Sequence, residues 1–134
     1  MRRAGGGADT IGPCGTSSGS RPGTAHALSI ALHKRTRSFP RAGYARLRAQ
    51  LTAAADSIKD TIAEGCGAAT NKEFARFLDM SIKSANEMEG HLLTARDLDL
   101  FSLDEWQKFT AETIEIRKMV YTYRTKVIAT PDNE

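Results

Sequence analysis

The chain has 134 residues, of which 40% are hydrophobic and 26% are charged, and its formal net charge is +3. This length is typical of one domain that buries a sizeable core. No apolar run approaches the length of a membrane span, and the N-terminus lacks the apolar stretch of a secretory signal, so we expect no membrane association and no export.

Two cysteines, Cys14 and Cys66, lie far apart in the chain, without a C-x-x-C motif or histidines at zinc-ligand spacing. Neither a zinc site nor a disulfide framework is therefore predicted. We interpret this cysteine usage as that of a protein from a reducing, cytoplasmic compartment.

Residues 1–24 form the first segment, and they contain seven of the eleven glycines and two of the four prolines. The segment has almost no bulky apolar residue to offset the loss of chain entropy on folding, so it is predicted to be a disordered extension. It is either an upstream extension without a role or a functional basic arm.

Two helices are predicted next, since apolar residues recur every three or four positions. The first spans about 25–38 and ends at Phe39-Pro40, because proline disfavours a helical conformation in the residue before it. The second spans about 43–64. Gly65 is predicted to end it in a left-handed conformation.

The third helix, about 71–98, is predicted to begin with a capping box formed by Thr70 and Glu73. Its apolar stripe alternates steps of four and three. Phe77, Ile82 and Leu93 widen the stripe. The stripe itself consists of Phe74, Leu78, Ser81, Ala85, Met88, Leu92 and Ala95.

The fourth helix is predicted to begin after a second capping box, Ser102 with Glu105, and a hydrophobic staple of Phe101 on Trp106. Residues 130–134 should fray. The predicted apolar stripe of this helix is Trp106, Phe109, Thr113, Ile116, Val120, Tyr123 and Val127.

These patterns predict an all-α fold, an antiparallel up-and-down four-helix bundle over residues 25–129. Several apolar side chains lie off the predicted stripes, and a single bundle would leave them exposed. We therefore expect a homo-oligomer, although scattered surface apolar residues are also normal. These residues are Ile30, Met80, Ile114, Met119 and Ile128.

No catalytic or metal site is predicted. Carboxylate-bridged metals in bundles require Glu-x-x-His motifs on two helices, whereas here Glu87 and His91 are four positions apart and no second helix supplies a matching motif. Cys66 lies in a turn without a partnering base, and no phosphate-binding loop is present. We expect neither an enzyme nor a bound cofactor.

One segment forms a basic patch that is a candidate binding surface. No acidic residue occurs between Asp9 and Asp56, so its positive charges have no acidic neighbours in the chain. The patch is either a surface for nucleic-acid phosphates or one side of charge pairing with Asp97, Asp99, Asp104 and Glu105. Few aromatic residues are interspersed, so any binding should be directed to the backbone. The six candidate nucleic-acid-binding residues are Lys34, Arg35, Arg37, Arg41, Arg46 and Arg48.

The chain also resembles a known family over about residues 25–128. The most specific part is the run Ile62-Ala63-Glu64-Gly65 followed by Lys72-Glu73-Phe74 and Arg76-Phe77-Leu78. It is similar to the four-helix proteins encoded in intervening sequences of bacterial 23S rRNA genes, which include the accessory variability determinant of diversity-generating retroelements. Further matches are Thr36 to Pro40, Gln50-Leu51, Ser57-Ile58, Gly67, Ser84, Glu87, Glu89, Leu92 and Ala95-Arg96-Asp97-Leu98.

The resemblance implies a non-enzymatic homopentamer with a basic surface, and for the retroelement relatives it implies nucleic-acid binding and a reverse transcriptase partner. The chain departs from the family at three basic positions, now Thr52, Ala53 and Ala68, and at a glycine that is Asp99 here. The leading hypothesis is an oligomeric bundle that binds RNA or DNA backbone. The alternative is a structural or protein-interaction module whose basic patch pairs with acidic residues inside the assembly.

Overall fold

The computed structural model describes residues 24–132 and, before them, Cys14. Four helices, Ala25–Thr36 (α1), Ala45–Cys66 (α2), Asn71–Asp97 (α3) and Leu103–Ala129 (α4), follow one another. Each packs on the next, and α1 also contacts α4, which closes the bundle. The predicted all-α four-helix fold is confirmed. Because successive helices reverse direction, the α1–α2 and α3–α4 turns share one end and the α2–α3 turn lies at the other.

The apolar stripes form the core as predicted. All seven stripe residues of α3 are buried, and so are five of the seven on α4, with Trp106 and Tyr123 half-buried at its edge. Leu93, expected to widen the α3 stripe, is instead 42% exposed. Small polar residues let α2 and α3 approach closely, since the hydroxyls of Ser57 and Ser84 are 2.7 Å apart.

Side-chain caps fix where α3 and α4 begin. The Thr70 hydroxyl accepts a hydrogen bond from the backbone N–H of Glu73 at 3.1 Å, but the Glu73 carboxylate reaches Ala69 rather than Thr70. Only the threonine half of that predicted capping box forms. At α4 both halves are present, because Ser102 and Glu105 each accept a hydrogen bond from the other's backbone N–H.

The C-terminus of α2 differs from the prediction. The helix continues through Gly65 to Cys66, and Gly67 caps it with a φ of −92°, so neither glycine is left-handed. Gly65 is buried against Phe74 and Phe77 of α3. Its missing side chain therefore serves close helix approach and not a special backbone conformation.

The C-terminus of α3 forms a Schellman motif around Asp99, whose φ is +60°. The backbone N–H of Leu100 donates to the carbonyl of Ala95 at 2.9 Å, and that of Asp99 donates to Arg96 at 3.0 Å. Asp99 thus occupies the left-handed position at which the resemblance expects a glycine. Phe101 then packs on Phe39, with 5.5 Å between ring centroids.

Side-chain hydrogen bonds occur near both ends of the described range 24–132. The Asp132 carboxylate accepts hydrogen bonds from the backbone N–H groups of Asn71 and Lys72, so the described part of the tail predicted to fray is held at the start of α3. Thr24 caps α1 by accepting from Ala27. Apart from Cys14 and Thr24, the extension predicted to be disordered lies outside the described residues.

Cys14 and Cys66 form a disulfide, which the spacing of the two cysteines did not predict. Their Cα atoms are 5.6 Å apart, within the range that a disulfide requires. Sequence spacing carried no sign of this contact because the two residues are distant in the chain and meet only through the fold. The prediction that these cysteines form no disulfide is therefore wrong.

Candidate nucleic-acid interface

The basic patch surrounds the corner where α1 ends and α2 begins. Helix α1 stops at Thr36, a turn containing Gly43 in the left-handed region follows, and α2 starts at Ala45. This connection places all six predicted residues at one end of the bundle, although their side chains have different roles. Two are used inside the protein and four face the solvent.

Arg35 is held internally by Glu105. Its Nε and Nη2 donate to the two carboxylate oxygens at 2.6 and 3.0 Å, and Nη2 also donates to the Leu100 carbonyl at 2.8 Å. The guanidinium also lies 5.3 Å from the ring centroid of Phe101. These contacts fasten α1 to the start of α4 and leave little of the guanidinium for a ligand.

The same ion pair changes both ionisation equilibria. Hydrogen bonding to Glu105 raises the pKa of Arg35 against a smaller opposing effect of burial. Hydrogen bonding from Arg35, helped by the backbone N–H of Ser102, lowers the pKa of Glu105 from 4.5 to about 2. Both groups are therefore charged at neutral pH, as a structural ion pair requires.

Arg48 also acts within the protein. Its Nε donates to the carbonyl of Thr36 at 3.2 Å, and the side chain is half-buried. Thr36 is the last residue of α1, where carbonyl groups have no partner inside the helix. Arg48 thus caps α1 from the first turn of α2.

The remaining four cations form the exposed set, which we call the basic corner. It consists of Lys34, Arg37, Arg41 and Arg46. All four are exposed, and none forms an ion pair with a carboxylate among residues 24–132. Four unpaired positive charges on one turn and its flanking helix ends create a local positive potential.

A polar cluster below the basic corner joins α1 to α2. Asp56 accepts a hydrogen bond from the Ser29 hydroxyl at 2.6 Å, and Nε2 of His33 lies 3.0 Å from the same carboxylate. Burial alone would raise the pKa of Asp56, but these two hydrogen bonds outweigh it and lower the pKa. The aspartate lies between the serine and the histidine, so the imidazole does not activate the hydroxyl.

Sequence reasoning missed this cluster because its members come from different helices. His33 and Asp56 are 23 positions apart in the chain, and Asp56 is the first acidic residue after Asp9. Only the α1–α2 packing brings them together. The spacing signal was limited to Ser29 and His33, which are four positions apart on one face of α1.

Of the acidic residues at this end of the bundle, some form ion pairs and others are exposed without one. Glu105 is paired with Arg35, and Asp97 lies 3.0 Å from Arg96. Asp99 and Asp104 are exposed and form no ion pair within residues 24–132. The predicted pairing of the patch with these acidic residues therefore occurs within one chain only for Arg35.

A family model for the 23S rRNA-intervening sequence protein matches residues 23–122, which include α1, α2, α3 and most of α4. The chain belongs to this family. The matched span contains the whole basic corner and the Schellman motif. No curated protein matches the chain significantly.

One solved structure has the same fold as this family member. It is a protein of unknown function from the S23 ribosomal protein family of Bacteroides thetaiotaomicron. The TM-score is 0.68 at 17% sequence identity, over 75% of this chain and 94% of that one. This similarity supports the fold alone.

The residues predicted not to form a metal site lie on α3, and no described helix is a membrane span. Glu89 pairs with Arg117 of α4, Glu87 is exposed, and the described residues contain no group of three or more possible metal ligands. No described helix combines the length and apolar character needed to cross a bilayer.

Proposed function

We propose that this protein is a non-enzymatic, homo-oligomeric bundle that binds the phosphate backbone of RNA or DNA through Lys34, Arg37, Arg41 and Arg46. The observation that carries the proposal is that these four cations are exposed together and unpaired among the described residues. Phosphate contacts from lysine and arginine supply most of the affinity of sequence-independent nucleic-acid binding.

The aromatic residues of the segment support backbone contact over base reading. Phe39 is 3% exposed and packs edge-on against Phe101, and Tyr44 is half-buried. Phe39 therefore offers no free face on which a base can stack, and Tyr44 is partly covered by the core. We therefore expect little dependence on base sequence.

Self-association would increase this binding by presenting several basic corners in one assembly. Exposed apolar side chains on α4 support association, because Tyr121 is 60% exposed and Ile128 is 54% exposed. They are seven positions apart and share one face with Ile114. By the family resemblance we propose a pentamer.

Binding is tested by fluorescence anisotropy with short single-stranded and duplex RNA and DNA at low salt. The variant carries Arg41→Glu and Arg46→Glu, and the matched control carries Lys72→Glu and Lys83→Glu, two exposed lysines of α3 with the same total charge change. Arg48 is unsuitable because it caps α1. We expect the first pair to lower affinity at least tenfold and to reduce the salt slope by about one for each phosphate that the variant no longer binds. Equal decreases from both pairs, or undetectable binding by the unaltered protein, would refute the proposal.

The retroelement relatives named by the resemblance extend the proposal to a partner. In this role the protein is an accessory subunit of a reverse transcriptase, to which it delivers nucleic acid held at the basic corner. Co-purification with a reverse transcriptase encoded beside its gene tests this part. Failure of co-purification would leave nucleic-acid binding to be judged by its own assay.

A second candidate function is a structural or protein-interaction module. It is favoured by the Arg35–Glu105 pair and by Asp99 and Asp104, which lie at the same end of the bundle as the basic corner and are exposed. In this alternative the basic corner of one subunit pairs with these acidic residues of another. Arg46→Glu would then lower the mass in solution or the melting temperature, with no nucleic acid bound by either form.

A further inference from the structure

We propose that the Cys14–Cys66 disulfide is a redox-sensitive clasp, which joins Cys14 to the α2–α3 end of the bundle and opens without unfolding the helices. This inference is independent of nucleic-acid binding. It depends on where the two sulfur atoms lie and on what else holds that end of the bundle together.

The position of the disulfide favours reversible chemistry. Cys66 is the last residue of α2 and is half-buried, whereas Cys14 is exposed. A small thiol therefore reaches the bond from the side of Cys14. Thiol–disulfide exchange depends on such access as well as on the thiolate itself.

The helical bundle has its own stabilising contacts without this bond. Within the described residues, the buried hydrophobic core begins at Leu28 and is supplied by the four helices and their turns. Gly65 packs on Phe74, Thr70 caps α3, and Asp132 holds the first two backbone N–H groups of that helix. A domain of this length does not need a disulfide to have a stable core. The clasp is thus an addition to a bundle that already specifies its fold.

The reaction is an exchange with a dithiol reductant. A thiolate attacks Sγ of Cys14, the Cys14–Cys66 bond breaks, and Cys66 leaves as a thiolate that then takes a proton. The second thiol of the reductant releases Cys14 from the mixed disulfide. Two electrons pass from the dithiol, which becomes a disulfide, to the protein, which gains two thiols.

Opening the clasp removes a covalent link between distant parts of the chain. The link constrains the unfolded chain, so its removal lowers stability even where every helix persists. The expected result is a fall in melting temperature on the order of 10 °C with no decrease in helical circular dichroism at 25 °C. In both buffers Cys14→Ser should have the melting temperature of the reduced full chain, and it should not respond to dithiothreitol.

The test compares the full chain and Cys14→Ser, each with and without dithiothreitol, by thermal melting, far-ultraviolet circular dichroism and thiol titration. Titration should find no reactive thiol in the oxidised protein and two after reduction. Two thiols in the untreated protein, or a bond between two chains on a non-reducing gel, would overturn the proposal. So would an unchanged melting temperature, or unfolding at 25 °C on reduction, since the latter would make the bond a structural requirement.

Discussion

Gly65 of α2 lies so close to Phe74 of α3 that a Cβ atom on the glycine would be 2.9 Å from Cδ1 of the ring. The same atom would be 3.0 Å from Cβ of Phe77, and the Phe74 side chain is fully buried. Two helices therefore touch at a point where a side chain cannot be accommodated without movement. This contact decides how closely α2 and α3 pack next to their connecting turn.

Gly65→Ala should destabilise the protein. Overpacking of a core typically costs about 1 to 3 kcal/mol, and the better helix propensity of alanine offsets at most about 1 kcal/mol. We expect a net decrease of up to about 2 kcal/mol in the free energy of urea unfolding. Gly90→Ala is the matched control, since Gly90 lies within α3 and a Cβ atom there would have nothing within 4 Å, and it should gain about 0.5 to 1 kcal/mol. A gain for both variants would show that the close approach at Gly65 is not limiting.

Asp99→Gly should stabilise the end of α3. Asp99 has a φ of +60° in the Schellman motif, and a glycine adopts this conformation without the steric cost that a side chain brings. The left-handed conformation costs a residue with a side chain about 1 to 2 kcal/mol, and the larger loss of chain entropy for glycine offsets about 0.5 to 1 kcal/mol of this, so we expect a gain of about 0.5 to 1 kcal/mol in chemical unfolding. Asp99→Asn is the control for charge, because asparagine also tolerates this conformation; if it gives the same gain as glycine, the effect is electrostatic and the backbone explanation fails.

Acid should weaken the contact between α1 and α4. The folded-state pKa of Glu105 is about 2, below its ordinary 4.5, so the ion pair contributes its full stability above about pH 5 and loses it as the pH falls towards 2. The Glu105 side chain is 36% exposed, so solvent screening limits the contribution to about 1 kcal/mol. The pKa of Asp56 is also lowered, so its contribution to stability likewise decreases as the pH falls.

Glu105→Gln isolates this effect, because glutamine keeps an acceptor for the capping hydrogen bond to Ser102 but removes the charge. Urea unfolding at pH 7, 5 and 3 should show a less stable variant at pH 7 and a smaller difference from the unaltered protein at pH 3. Parallel stability curves for the two proteins across this range would contradict the assignment.

Introducing charged residues on the outer face of α4 should disrupt self-association. Tyr121→Glu with Ile128→Glu alters two side chains that are already more than half exposed, so the fold of a single chain should be preserved. Light scattering after size-exclusion chromatography should then give the mass of a single chain, while the unaltered protein gives a multiple of it. Met80→Glu, an exposed apolar position on α3, is the comparison. If its mass falls equally, the contact is not specific to the α4 face.

Much of the fold follows from local patterns that operate within one segment. The three-four spacing of Phe74 to Ala95 places one face of a helix in the core whatever its neighbours are, and Ser102 with Glu105 starts a helix through contacts that span four residues. The turn at Gly65 was predicted less well. The sequence pattern indicated a stop there, but the glycine is needed for the approach of Phe74, which belongs to the next helix.

The structure brings the six predicted cations to one end of the bundle and divides them into two that are engaged inside the protein and four that are exposed. Arg35 and Arg48 are indistinguishable in sequence from the other cations of the patch. Their engagement depends on Glu105, some seventy positions away from Arg35 in the chain, and on the carbonyl of Thr36. The four residues of the basic corner remain a prediction about function, which the binding experiment addresses.

The sequence by itself determined the number of helices, their buried faces and most of their ends, because hydrophobic spacing and capping are short-range effects encoded by neighbouring residues. Only the tertiary structure decided which arginines are engaged inside the protein, which acidic residues have a lowered pKa, and that Cys14 is bonded to Cys66. These outcomes depend on distances between segments that are remote in the chain. Such distances are set by helix packing, and no local pattern reports them.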